Sequence, residues 1–292
     1  MAEKRKMRQG LKRKIVQLAA FGFTNSHLGN LAAGKLYKGP WKNLCAPGLN
    51  CYSCPAAGLA CPIGALQAVT GSVKYNISFY VVGFLLAVGV LLGRFVCGWL
   101  CPFGLFQELL HKIPSPKRKL PRPLKYVKYA VLAVFVIAMP VLVTNLMGMG
   151  QPAFCQYICP AGTLEGGIPL MLANEKLRTL MGPLFSWKVL VAVATVIGCV
   201  VVQRFFCKML CPLGAIYGLL NKLSLYRLRV DAVKCVGCGQ CAQVCPMDVD
   251  PVQAPDSAEC IRCGKCAAQC PAKAICMGFK RPASKLDGGE KP

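Results

Sequence analysis

The chain has 292 residues, of which 55% are hydrophobic and only 16% are charged. This excludes a disordered polypeptide and disfavours an ordinary soluble enzyme. Lys and Arg number 35 against 11 Asp and Glu, a formal charge of +24. The cations flank apolar runs and lack Arg-aromatic stripes, so nucleic acid is not the expected partner. Twenty cysteines exceed any packing need. Disulfide scaffolds of that density are short and secreted, so metal thiolates are the expected use.

The predicted elements begin with a basic arm, Met1–Lys14, carrying seven cations. No small-residue cleavage site closes a compact apolar core after it, so a signal peptide is not expected. Ile15–Gly34 is the weakest of four predicted spans, interrupted by Asn25, Ser26, His27 and Asn30. An interfacial helix is its alternative. Tyr75–Gly93 is uncharged, Tyr129–Met149 is uncharged with a kink expected at Pro140, and Pro183–Gln203 contains only Lys188, expected to snorkel outward. Each is close to the roughly 20 residues that cross a bilayer. Lys112–Lys128 carries seven further cations and the other loops far fewer. The positive-inside rule therefore places both termini in the cytoplasm, which requires four spans.

A repeat is visible. Gly93–Ile113 and Gln203–Leu223 match at ten of 21 positions with an offset of 110. The outer segments Cys54–Leu59 and Cys159–Leu164 echo each other more faintly, so a parallel two-span unit occurs twice. The expected organisation is a basic arm (1–14), a four-helix membrane domain (15–223), a compact soluble domain (224–280) and a polar tail (281–292). The fold class is mainly α: a polytopic membrane protein with a C-terminal ferredoxin-like domain.

The strongest motif is Cys235-x2-Cys238-x2-Cys241-x3-Cys245-Pro246, followed by Cys260-x2-Cys263-x2-Cys266-x3-Cys270-Pro271. This is the pattern of a two-cluster bacterial ferredoxin, in which the fourth cysteine of each run completes the other cluster. Cys235, Cys238, Cys241 and Cys270 would bind one [4Fe-4S] cluster, and Cys260, Cys263, Cys266 and Cys245 the other. A zinc ribbon needs neither the third cysteine nor the trailing proline. In the repeats, Cys97, Cys101, Cys207 and Cys211 form two CxxxCP motifs at one membrane face. They are candidate ligands of a further inner cluster, with buried packing thiols as the alternative. On the outer side, Cys51, Cys54, Cys155 and Cys159 are the expected set, because Cys54 aligns with Cys159. Cys45 or Cys61 could substitute, Cys61 opening a CPxG sequence like the inner ones; disulfides are the rival. Cys199 and Cys276 read as packing thiols, and His111 as solvated. His27, ionisable within a predicted span, is a candidate quinone or haem contact, or a packing histidine.

Four spans, CGWLCPFG at Cys97–Gly104, CKMLCPLG at Cys207–Gly214 and the double ferredoxin run resemble the NapH-type membrane ferredoxins, a family that includes the membrane domains of NosR- and CcoG-like proteins. The resemblance implies an electron-transfer protein of a prokaryotic cytoplasmic membrane, with quinol oxidation as the NapH-type role. NosR and CcoG roles are disfavoured, because the chain carries no flavin-binding extension or added β-domain. The expectation is an iron-sulfur carrier between a cytoplasmic ferredoxin-, flavodoxin- or reductase-like partner and the quinone pool or an extracytoplasmic acceptor. Lys222, Arg227, Arg229 and Lys234 could steer an acidic partner. Alternatives are a quinol dehydrogenase subunit, and a redox sensor or metal-centre assembly factor. A hydrocarbon core about 30 Å thick is too wide for one electron hop, so the sulfur sites should dip inward on segments such as Ile63–Val69 and Ile168–Ala173, or a quinone should link them.

Overall fold

A computed structural model describes residues 2–72, 78–145, 149–179 and 182–279. The expected tail, 281–292, lies outside them. The chain opens with α1, Ala2–Thr24, 23 residues long and so about 34 Å from end to end. This corrects two expectations. The basic arm is not separate but forms the first half of α1, and the helix ends at Thr24 rather than continuing to Gly34. Thr24 Oγ1 donates to the Ala20 carbonyl at 2.8 Å, and the polar residues that follow satisfy a loop. The polar stripe of α1 is buried against protein: Gln17 Nε2 donates to the Gly98 carbonyl at 3.1 Å, and Arg13 pairs with Glu108. Leu11, Ile15 and Leu18 face outward.

The body continues with α2 (Pro62–Gly71), α3 (Phe79–Leu92), α4 (Phe95–Trp99), α5 (Pro102–Leu110) and α6 (Arg122–Leu142). Then come a helix over 160–173 (α7), α8 (Pro183–Val201), α9 (Phe205–Met209) and α10 (Pro212–Leu220). Of the four predicted spans, α6 and α8 are long and apolar enough to cross a membrane. Apolar α3 has 14 residues, and residues 73–77 before it lie outside the described residues. Helix α6 opens into π turns at Leu132–Ala138, just ahead of Pro140, whose missing N–H a wider ladder accommodates. Lys188 does not snorkel outward as expected. It lines an open cavity beside Cys51 and Cys155 and approaches Gly162.

The C-terminal domain is closed by β1 (Tyr226–Val230) and β2 (Ile275–Phe279), antiparallel in the register Tyr226↔Phe279 to Val230↔Ile275. Between them lie α11 (Gln240–Gln243) and α12 (Lys265–Gln269). The two cysteine runs fold alike. At an offset of 25 residues, Gly237 and Arg262, Gly239 and Gly264, and Asp248 and Lys273 all have φ between 49° and 77°. Such left-handed residues turn successive amides toward one centre. Side chains at three of these positions carry a conformational cost on the order of 1 kcal/mol each, borne because the loop must close. Cys276 is exposed on β2 and is not the packing thiol expected.

This domain is bolted onto the helices. Gly98 admits it: a Cβ there would lie 2.5 Å from the Ile261 carbonyl oxygen. Trp99 Nε1 donates to the Arg262 carbonyl at 3.1 Å. The Arg262 guanidinium donates to the Leu92 and Asn221 carbonyls at 3.0 and 2.8 Å.

Candidate metal centres

In the ferredoxin domain, Cys235, Cys238, Cys241 and Cys270 line one cavity of about 230 Å³. Cys245, Cys260, Cys263 and Cys266 line a second, tighter cavity. Each set takes three cysteines from one run and one from the other. Backbone amides lie against the crossing sulfurs: Val249 N donates to Cys245 Sγ at 3.5 Å and Ala274 N to Cys270 Sγ at 3.4 Å. The Cys235 cavity faces outward, with Cys238 exposed and Val233 96% exposed. The Cys260 cavity faces the helices, where burial pushes the Cys260 thiol up to about 11.

Four helices of the body begin with the same four-residue signal. Cys61-Pro62-Ile63-Gly64 opens α2, Cys101-Pro102-Phe103-Gly104 α5, Cys159-Pro160-Ala161-Gly162 α7, and Cys211-Pro212-Leu213-Gly214 α10. Each cysteine has extended ψ, and proline at the first helical position fixes the turn. A thiolate there sits at the positive end of a helix dipole.

Two of these helices meet near the ferredoxin domain. There the buried Cys97, Cys101, Cys207 and Cys211 lie within electrostatic reach of one another. Burial first, then Cys207 and Cys97, push the Cys101 thiol up to about 12. We call this the proximal site. Its walls are two fully buried arginines in repeat-related positions. Arg94 Nη2 donates to the Cys207 carbonyl at 3.3 Å, and Arg204 Nη1 to the Cys97 carbonyl at 2.6 Å. Each is paired: Arg94 with Glu259 of the ferredoxin domain at 2.9 Å, and Arg204 with Glu108 at 2.6 Å. Lys128 also binds Glu259, and Lys208 binds Asp248. Gln107 Nε2 donates to Cys207 Sγ at 3.0 Å, while its Oε1 accepts from the Cys207 amide and from the Cys199 thiol.

The other two Cys-Pro helices meet at a distal site. Cys51, Cys61, Cys155 and Cys159 line a cavity of about 670 Å³ and interact electrostatically. This corrects the choice of Cys54. Its thiol is outside that cavity and points at Asn25 Oδ1, 3.9 Å away. The Cys54–Cys159 alignment misled because both precede proline, whereas only Cys61 shares the whole CPxG signal and the helix it opens. Cys45 lines the cavity edge. Gln67 repeats the part of Gln107: its Nε2 donates to Cys155 Sγ at 3.1 Å and its Oε1 accepts from the Phe154 amide at 2.9 Å. Half-buried Glu165 accepts from the Cys51 amide at 2.8 Å, and desolvation raises its carboxyl to about 7. The paired glutamines and the fourfold CPxG signal were present in the sequence but are meaningful only once the helices converge.

The loop that carries Cys51 reaches the proximal site. The Leu49 carbonyl lies 3.9 Å from Cys101 Sγ, and a Cβ on Gly48 would lie 2.7 Å from Cys101 Cα. Cys51 follows two residues later, at most about 7 Å along the chain. His27 stacks on Tyr37 with centroids 3.9 Å apart and meets Ser26 Oγ at 3.0 Å, lining a cavity of about 270 Å³ with Phe23 and Trp41. His111 is half-buried rather than solvated.

Among the described residues, no group of three or more His, Cys, Asp or Glu can hold a single metal ion. In the two ferredoxin sets and the distal set, four sulfurs spread around a common cavity instead suit a cube of iron and sulfide, which takes four thiolates at its corners.

Comparison with known proteins agrees. A 4Fe-4S binding domain family matches residues 77–121, 131–168 and 184–230, and a 4Fe-4S dicluster domain family matches 227–271. The chain is 30% identical over 189 residues to uncharacterized protein MJ0750 of Methanocaldococcus jannaschii, covering 61% of this chain and 68% of that one. It is 27% identical over 244 residues to the methylamine utilization ferredoxin-type protein MauN of Methylobacillus flagellatus, covering 81% and 75%. With the regulatory protein NosR of Pseudomonas aeruginosa it shares 29% over 160 residues, 53% of this chain and 21% of NosR. The chain spans about half the length of the first curated relatives it matches. No solved structure matches it. Two 4Fe-4S domains, the Cys-Pro helix starts and these relatives together mean that the chain belongs to the NapH- and NosR-like family of 4Fe-4S ferredoxin-type proteins.

Proposed function

We propose that the protein is a membrane-embedded iron-sulfur wire with four [4Fe-4S] sites in series. Cys235, Cys238, Cys241 and Cys270 would hold the first cluster, Cys260, Cys263, Cys266 and Cys245 the second, the proximal cysteines the third and the distal cysteines the fourth, and the clusters would supply one-electron relay in that order. The observation that carries this reading is the Leu49 carbonyl resting on Cys101 Sγ, two residues before Cys51. The loop brings the two sulfur sites together inside the body, which removes the need for one hop across the full bilayer. At the other end, Gly98 and Ile261 are in backbone contact, and the Cys260 loop sits over the proximal cysteines. The clusters, when bound, supply reversible one-electron storage. The chain's own groups hold the thiolates, exclude water and, through Arg94 and Arg204, set positive charge beside an anionic centre.

Four spans complete the body in this reading: the apolar half of α1, α3, α6 and α8. The ferredoxin domain lies in the cytoplasm of a prokaryotic cell, as the basic loops support. A soluble reductase- or ferredoxin-like partner docks over exposed Val233, Val236 and Cys238. The distal site exchanges electrons with a quinone or an extracytoplasmic acceptor. The aromatic cavity of His27, Tyr37 and Trp41 supports a second reading, in which a flat quinone ring binds there and the chain is part of a quinol dehydrogenase.

Rapid-freeze EPR after mixing with a photoreduced ferredoxin tests the wire. The Cys101→Ser protein should reduce its ferredoxin clusters at the wild-type rate and fail to reduce the distal site. Reduction of the distal site at an unchanged rate would overturn the serial order.

A further inference from the structure

Between α1, α5 and the ferredoxin domain lies a cleft of about 450 Å³ that the electron path does not use. Its lining includes Arg13, Lys14, Lys112 and Lys265, with Glu108 as the single acid among the described residues, and apolar Leu105 and Leu109. Glu108 is already shared by Arg13 and Arg204. Arg13 is 5% exposed, and its Nη1 has no hydrogen-bond partner among the described residues. A buried guanidinium nitrogen left unpaired is expensive, so a missing acceptor is implied. Independently, Lys14 is pushed below its ordinary value, chiefly by the charge of Lys112. Two cations held together in this cleft, whose one acid is already committed to Arg13 and Arg204, point to the same absent group. Leu11, Ile15 and Leu109 are exposed nearby, at 59%, 57% and 50%. The cleft therefore sits where the basic half of α1 gives way to its outward-facing apolar half.

We propose that this cleft binds the phosphate headgroup of an anionic phospholipid, held by Arg13, Lys14, Lys112 and Lys265 against the loop that carries Cys263. The acyl chains follow the exposed leucines and Ile15. The occupant is a lipid rather than a free anion because the cleft joins cationic and apolar walls at that boundary. The lipid clamps α1 onto the ferredoxin domain beside the cluster nearest the helices. The inference rests on the membrane reading: recovery of iron-loaded protein without detergent would remove that reading, whatever the lipid result.

The test uses the full chain in nanodiscs of phosphatidylcholine with a minor fraction of phosphatidylglycerol, extracted gently for native mass spectrometry. Phosphatidylglycerol should be retained above its share of the bilayer. Lys14→Gln and Lys112→Gln should each weaken retention by roughly fivefold, with iron content unchanged. Should Lys112→Gln lose iron, the comparison rests on Lys14→Gln alone, at an exposed position outside every ion pair described. Equal retention by wild type and variant would overturn the proposal. So would displacement of the lipid by inorganic phosphate at equal headgroup concentration, which would make free phosphate the ligand.

Discussion

The proximal and distal sites are built on one plan: two Cys-Pro helix starts, two further cysteines and a glutamine amide on one sulfur. Their surroundings differ. The proximal cysteines are walled by Arg94 and Arg204, both fully buried and both ion-paired. The distal cysteines share a cavity of about 670 Å³ with Lys42, Lys188 and the rim of Cys45. A sealed, positively lined site suits relay, because little solvent must reorganise when charge arrives. An open site with spare volume suits exchange with another molecule. In the proposed wire one motif would thus serve two purposes, the difference set by its neighbours.

Iron counting breaks or sharpens that comparison most directly. The wild type should hold about sixteen irons per chain, four for each cube. Cys61→Ser should lose about four, and Cys54→Ser none. Loss of iron from Cys54→Ser, measured with acid-labile sulfide, would restore the set expected from the sequence.

The walls come next. Arg94→Ala leaves Glu259 paired with Lys128 but strips the Ala258 and Cys207 carbonyls of their buried donor, which destabilises by about 1–3 kcal/mol. Proteolytic release of the ferredoxin domain, monitored over time, should be far faster than in wild type. An equivalent change at the distal site, Lys188→Ala, should leave that release unchanged.

The glutamines give a smaller effect. Losing one hydrogen bond of about 1 kcal/mol to sulfur should lower the site's potential by on the order of 40 mV, since the bond favours the more negative state. Gln107→Leu should move only the proximal signal and Gln67→Leu only the distal one in a redox titration followed by EPR. A shift of both signals by either variant would mean the sites are not separable.

The least effect concerns pH. Burial raises the Glu108 carboxyl, but Arg204, Arg13 and Lys265 outweigh it and hold it below the ordinary carboxylate value. A carboxyl depressed in the folded state stabilises above its unfolded value, and that contribution is lost as pH falls through the folded one. Melting temperature should therefore drop on acidification below the ordinary carboxylate range more steeply in wild type than in Glu108→Gln.

Some of this was readable residue by residue. The two ferredoxin sets follow from spacing, because a short loop can wrap only one cube and must borrow its fourth cysteine. The inner CxxxCP pairs followed from the repeat. The distal set did not, since six outer cysteines offered several quartets and local likeness favoured Cys54. The first span was placed too late in the chain: the helix takes in the basic arm, where Glu108 pairs with Arg13, and stops at Thr24, ahead of Asn25, Ser26, His27 and Asn30.

What the chain's order of residues determined alone is local: the ferredoxin loops, the Cys-Pro turns and the apolar runs, each enforced by short-range backbone geometry and hydropathy. Only the tertiary structure decided which sulfurs share a cavity, that Leu49 reaches Cys101, and that two arginines from different repeats cross to each other's cysteine loops. Those facts depend on how helices far apart in sequence converge, and convergence is set by packing and ion pairing summed over the whole body.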